Sequence, residues 1–327
     1  MEFSPPYQSP FSVAPGIWCL SVPIPIPLKY VNCFLIAGPT GWTLVDAGFN
    51  DEGARAAWQQ CFTELAIRPQ DVAQILVTHY HPDHLGAAGW LQEWTGAPAF
   101  MHEREIPLVE LFWGLSMEAQ AEGLTEFFLG EGMDPETARS IGEHHKYQSG
   151  TVQPMAKLQP LPTGSSFTMG GRPWEVLWTP GHSDGLAVFW DASTGTLLAN
   201  DMLLAKITPN VSLWPKCRPN PLQDYLDSLA RVEALQAKLA LTGHRTMIED
   251  VSGRAAEIRG HHGERLAKTL ALVGDGATGW AVCQRLFPIQ QLSIHQVRFA
   301  MSEALAHLVY LVGEGHLVKE GTLFRPA

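Results

Sequence analysis

Residues 77–87 read VTHYHPDHLGA and place His79, His81, Asp83 and His84 within six positions, just after the apolar run Ile75-Leu76-Val77. Such a density of imidazole has little use except metal binding. The stretch 74–78 (QILVT) reads as a buried strand, and a side-chain period of two puts His79 and His81 on one side. Pro82 cannot continue strand pairing and helps force a turn. That turn presents Asp83 and His84 to the same space. Adjacent ligands can serve different ions, so the cluster predicts two metals rather than one.

Two ions need more than four ligands. A search for His or Asp at the ends of later apolar runs finds His182 in WTPGHSDG, Asp201 in LLAND and His244 in ALTGH. Each sits where a loop leaves a predicted strand, the place where functional residues collect. Alone, His182 or His244 would read as an ordinary loop histidine. Alongside the 79–84 cluster they complete a set of five imidazoles and two carboxylates, which suits two divalent ions, zinc first and also iron or manganese.

The chain has 327 residues, 46% hydrophobic and 17% charged, enough for a sizeable core and about two domains. Its five cysteines are scattered without a C-x-x-C pair, which argues against a disulfide framework or a thiolate zinc site and for a reduced cytoplasm. The start, MEFSPPYQSPF, lacks the basic and apolar regions of a signal peptide. No stretch approaches the ~18 apolar residues of a membrane span. A net charge of −11 opposes a bulk electrostatic grip on nucleic acid. The expected partner is therefore a small-molecule substrate, with homo-oligomerisation left open.

The periodicity predicts an α/β (α+β) chain. Short strands GIWCLSV, VNCFLIAG and WTLVDAG precede a helix capped by Asn50 or Asp51, then the 74–78 strand, a helix ending at Gly96 and the strand APAFMH. Residues 103–150 read as a helical insertion, either a cap over the site or an ordinary packed pair of helices. Leu111, Phe112, Trp113, Leu115, Phe127 and Phe128 are its large apolar residues. Strands return from Ser166 with a hairpin at Gly170-Gly171, followed by a helix over 220–235 and a last strand before His244. Residues 1–248 thus form one expected domain. Residues 249–327 form a second, three helices and a small hairpin, which is the winged-helix order. The third of these helices is apolar almost all round, so it packs inward rather than reading a nucleic-acid groove. Residues 207–215 (ITPNVSLWP) are expected at the pocket rim, and His144, His145, His261 and His262 mainly at the surface.

The motifs THYHPDH, GH at 181–182, ND at 200–201, GH at 243–244 and the early LVDAG resemble the metallo-β-lactamase superfamily, in its glyoxalase II-like branch. The tail resembles lactamase-like hydrolases with a C-terminal winged helix. The resemblance implies an αββα sandwich with the metals at one edge. His79, His81 and His182 would hold one ion. Asp83, His84 and His244 would hold the other, Asp201 would bridge, and Asp46 would support the ligand loop by a hydrogen bond, as ligating histidines commonly require.

Two divalent ions ~3.5–4 Å apart can share a water and bring its pKa towards 7, giving a bridging hydroxide for attack with Asp83 orienting it. Hydrolysis of a small ester, thioester or lactone is the leading expectation, of the hydroxyacylglutathione hydrolase or acyl-CoA thioesterase type. Cleavage of single-stranded RNA is the second reading, but the tail from residue 251 carries only eight basic residues against six acidic. An iron-dependent persulfide dioxygenase is the third. It uses one iron, whereas this chain retains all seven ligands.

Overall fold

Two mixed sheets stacked face to face carry the chain from its first strand to His244. In the computed structural model, residues 9–114 and 116–327 are described. The first eight residues and Leu115 therefore lie outside the described residues. The first sheet has seven strands in sequence order: β1 (Phe11–Ala14), β2 (Ile17–Pro23), β3 (Tyr30–Gly38), β4 (Gly41–Val45), β5 (Val72–Leu76), β6 (Ala99–His102) and β7 (Leu158–Leu161). Its first half is antiparallel and β4 to β7 run parallel. The second sheet has the order β12-β11-β10-β9-β8, from β8 (Ser166–Met169), β9 (Arg172–Trp178), β10 (Ala187–Asp191), β11 (Thr196–Leu198) and β12 (Leu239–Leu241). At Gly170 and Gly171, φ of +62° and +75° closes the β8–β9 hairpin in the left-handed geometry that favours glycine.

Alternation sorts the strand residues into layers. Ile17, Phe34 and Ile36 point between the sheets and meet Trp174, Val176 and Phe189. The opposite face of the first sheet is covered by α1 (Glu52–Glu64) and α3 (Ala88–Thr95), whose Trp58, Phe62 and Leu91 pack on Leu35, Leu44 and Ile75. Asp51 caps α1, its Oδ1 accepting from Ala54 N at 2.8 Å. The outer face of the second sheet is covered by α7 (Pro221–Ala234) and α8 (Val251–Val273). The result is the expected αββα sandwich.

The insertion consists of α4 (Ile106–Val109), one π-helical turn over Glu110–Gly114, α5 (Met117–Gly130) and α6 (Pro135–Ser149). The tail continues from α8 through β13 (Ala277–Thr278), α9 (Gly279–Leu286), α10 (Ile294–Gly313), β14 (Leu317–Glu320) and β15 (Leu323–Pro326). The last two strands form the expected hairpin, and β13 adds a third strand that the sequence pattern does not announce. Insertion and tail share one core: Leu124, Phe128 and Ile141 pack with Met301, Leu305 and Leu308. Of the five described large apolar residues expected in a cap, only Phe112 and Trp113 reach the cavity. Leu111 packs on the first sheet's core, and Phe127 and Phe128 on the tail.

Candidate metal centre

Beyond Leu76 the backbone of β5 continues for one hydrogen bond, from Val77 N to Phe100 O. Asp46 then takes over. Its Oδ1 accepts from Thr78 N at 2.8 Å, and Thr78 Oγ1 donates to the same carboxylate. The ligand loop is thus irregular backbone stapled to the end of β4, not extended strand as expected. His81 sits at the start of the short helix α2 (Pro82–Leu85), and that single turn delivers Asp83 and His84 inward.

The structure brings all seven expected ligands together. His79 Nε2 and His182 Nε2 each lie 3.0 Å from His81 Nδ1. His244 Nε2 lies 3.3 Å from Asp83 Oδ2 and 3.5 Å from Asp201 Oδ2. Asp201 Oδ2 is also 3.5 Å from His84 Nε2 and 3.6 Å from His182 Nε2, so it touches both groups. Three donor sets result: His79, His81 and His182; His79, His84 and Asp201; and Asp83, His84 and His244.

Four of the five rings have their far nitrogen engaged. His84 Nδ1 donates to Asp46 Oδ2 at 2.7 Å, His182 Nδ1 to Asn210 O at 2.8 Å and His244 Nδ1 to Tyr30 O at 2.9 Å. His79 Nδ1 donates to Thr78 Oγ1 at 3.1 Å, whose own proton goes to Asp46. These bonds turn the Nε2 atoms of His79, His84, His182 and His244 to the centre, where His81 presents Nδ1, the kind of support that orients metal-ligating histidine. A cation fits this set. His84 Nε2, His244 Nε2 and Asp201 Oδ1 are buried without a hydrogen-bond partner. The two 3.0 Å spacings to His81 Nδ1 are close to the roughly 3.3 Å edge of a tetrahedron with zinc–nitrogen bonds of ~2.0–2.1 Å.

The electrostatics divide the cluster. Burial, reinforced by neighbouring imidazoles, holds His79 and His81 well below the ordinary histidine value; burial also lowers His182, against the pull of Asp201. These three are neutral, the ligand form. At His84 and His244 burial is outweighed by carboxylates, chiefly Asp201, which lift His84 strongly and His244 to about 10. Burial likewise opposes ionisation of Asp83 and Asp201, but His84 and His244 hold both below the usual carboxylate range. The negative charge that draws protons to these rings is the charge that would draw a cation.

Backbone strain marks the same place. Asp46, which supports the ligand loop, has a φ of +59°, and Asn200 and Arg245, the chain neighbours of Asp201 and His244, have +44° and +65°. Gly243 admits no side chain, because a Cβ there would lie 2.2 Å from Asp201 Oδ1 and 2.9 Å from His84 Cε1.

The cluster forms the floor of a cavity of ≈ 470 Å³. His81, Asp83, His182, Asp201 and His244 face it, together with Phe112 and Trp113 of the insertion, Trp214 of the 207–215 segment, and His295, Arg298 and Phe299 of the tail. Ile207, Thr208 and Asn210 line it where the 207–215 segment was expected. Among the described lining residues there is no serine or cysteine.

Several contributors carry no signature in the sequence. The Glu105 carboxylate is fully buried and accepts from Tyr80 N and Ser183 Oγ at 2.8 Å and from Gly185 N at 2.7 Å. It ties the 79–84 loop to the His182 loop. Burial pushes it up to about 7, against the pull of those three donors. Two of the histidines expected at the surface are instead buried. His145 lies against Trp113, and His262 packs on His307 and Tyr225, away from the cavity. His144 and His261 are half-buried.

The model of the metallo-beta-lactamase superfamily matches residues 26–244, and that of the metallo-beta-lactamase-like C-terminal domain matches residues 266–322. A Bacillus subtilis protein named "Probable metallo-hydrolase YqjP" is 27% identical over 90% of this chain and 92% of its own. The atrochrysone carboxyl ACP thioesterase of Aspergillus fumigatus is 22% identical over 70% of this chain and 55% of its own. Among solved structures, a metallo-beta-lactamase family protein of Thermus thermophilus is 40% identical with a TM-score of 0.85, covering 97% of this chain and 100% of that one. A beta-lactamase domain protein of Burkholderia ambifaria is 31% identical with a TM-score of 0.86, over 99% and 96%. With its sandwich, its seven convergent donors and matches over both regions, the chain belongs to the metallo-β-lactamase superfamily.

Proposed function

We propose that this metallo-hydrolase cleaves a small ester or thioester, with His79, His81 and His182 holding one divalent ion, Asp83, His84 and His244 a second, and Asp201 shared between them. Two zinc ions there would supply Lewis acidity towards a carbonyl oxygen and a nucleophilic water at neutral pH. The observation that carries the reading is the position of the donor cluster at the floor of a largely apolar cavity. Asp83 faces that cavity as an ionised carboxylate and can orient a water by accepting a hydrogen bond from it. With no serine or cysteine among the described lining residues, attack by water is the route the side chains favour. Aromatic walls suit an acyl chain better than a polyanionic backbone. The thioesterase among the relatives supports the same class.

The test is hydrolysis by metal-analysed protein of p-nitrophenyl esters, acyl thioesters and lactones, set against a phosphodiester and single-stranded RNA. Ester or thioester turnover is expected, falling by at least ~100-fold in Asp83→Asn. Cleavage of RNA alone, sensitive to salt and to the same substitution, would replace this reading with a nuclease.

A further inference from the structure

A continuous wall runs from the donor cluster to one buried cation. The Tyr80 ring meets His81 edge-on at 4.7 Å and stacks on Phe112 at 4.6 Å. Trp113 Nε1 donates to Tyr80 O at 2.8 Å, and its ring stacks on His145 at 5.6 Å. His145 Nε2 donates to Gln120 Oε1 at 2.8 Å, which turns the Nδ1 lone pair to Arg298 Nη1 at 3.4 Å. The Arg298 guanidinium lies over Phe299 at 4.7 Å and Trp214 at 5.4 Å. Burial lowers Arg298 to about 10, so it is charged at neutral pH. Burial, helped by Arg298, keeps His145 neutral.

Arg298 lines the same cavity as Asp83 and Asp201 and is 7% exposed. Glu303 also lines it, but accepts from Asn210 Nδ2 at 3.3 Å and faces Arg265 at 4.0 Å. A guanidinium set among aromatic faces at the wall of an apolar cavity is built for oxyanions, which it binds through paired donors.

We infer that Arg298 is a substrate-binding residue, and that the cavity takes an apolar ester or thioester bearing one anionic group, a carboxylate or phosphate, away from the scissile carbonyl. The inference rests on the hydrolase reading for the reaction, not for the binding. It also gives the tail a role: α10 supplies the anion subsite, and the insertion props it through His145 and Gln120.

Two substrate pairs locate the anion. The p-nitrophenyl monoester of adipic acid against p-nitrophenyl hexanoate places a carboxylate on the acyl side. S-hexanoyl phosphopantetheine against S-hexanoyl N-acetylcysteamine places a phosphate on the thiol side. The wild type is expected to prefer the anionic member of one pair. Arg298→Met should cut that anionic-to-neutral ratio of kcat/KM by about 100-fold, and Arg298→Lys should restore part of it. Non-hydrolysable ethers carry the binding readout through tryptophan quenching: ω-(p-nitrophenoxy)hexanoate against p-nitrophenyl hexyl ether, and the two corresponding S-hexyl thioethers. Loss of the anionic ether's advantage in Arg298→Met, with no ester or thioester hydrolysed by the wild type, would keep the subsite and overturn the hydrolase reading. Hydrolysis without anion preference in either pair, or with a preference that Arg298→Met and Arg298→Lys leave intact, would overturn the subsite.

Discussion

Asp46 organises both halves of the centre from outside it. One oxygen accepts from Thr78 N at 2.8 Å, the other pairs with His84 Nδ1 at 2.7 Å, and Thr78 passes the contact on to His79. Asp46→Asn keeps the shape, and asparagine tolerates the φ of +59°. The new amide must aim its NH₂ at either Thr78 N–H or His84 Nδ1–H, donor against donor. A cost of about 1–3 kcal/mol follows for the buried mismatch. Metal affinity should drop ~10–100-fold, read by chelator competition on protein whose circular dichroism is unchanged. Two equivalents bound as tightly as in wild type would remove Asp46 from this role. The donors themselves were legible in the sequence because H-x-H-x-D-H is chemically dense, and His182, Asp201 and His244 then had a reason to be read with it. Tyr30 O, Asn210 O and Glu105 were not legible: two are backbone carbonyls, and the third is one acid among many.

Helices show where periodicity stops. The apolar pattern of α10 announced burial, and Met301, Ala304, Leu305 and Leu308 are fully buried. The same pattern could not say that His307 would meet His262 of α8. His262 Nδ1 and His307 Nε2 lie 3.2 Å apart, and His307 Nδ1 donates to Glu303 O at 2.8 Å. Burial depresses both, His262 to about 3 and His307 to about 4; His261 and Arg265 press in the same direction. Folded-state values below the unfolded ~6.5 mean that the unfolded chain binds more protons in the interval between. The stabilisation is therefore complete above about pH 6.5 and is lost as pH falls towards about 4, each histidine adding a slope of up to about 1.4 kcal/mol per pH unit. Urea midpoints measured down this range should fall more steeply for wild type than for the His262→Leu, His307→Leu double variant. Removing both partners together keeps the variant near wild-type stability at neutral pH. Parallel slopes would show that the pair stays protonated or solvated in the fold.

At the scale of the molecule, the centre joins two sheets that share no strand. His79, His81, Asp83 and His84 follow the carboxyl end of β5 in the seven-stranded sheet, whereas His182, Asp201 and His244 follow the carboxyl ends of β9, β11 and β12 in the five-stranded one. Strand order and the packing of one sheet on the other depend on contacts far apart in sequence, so neither was readable from local pattern. What the sequence did carry was the requirement that these ends converge. Cations bound there would act as cross-links between the sheets, favouring the folded state by mass action. At an ion concentration ~1,000 times the dissociation constant, the gain is about 4 kcal/mol per site. For a chain of this size each kcal/mol moves the melting temperature by roughly 2–4 °C. Stripping the metal should therefore lower Tm by about 8–16 °C per site lost, and adding zinc back should restore it. In Asp201→Ala the same chelation should shift Tm far less, because the residue shared by both donor groups is gone. A wild-type Tm indifferent to chelation, with metal analysis confirming its removal, would mean that the sheets hold the seven side chains together unaided and that the centre is not cross-linked by a cation.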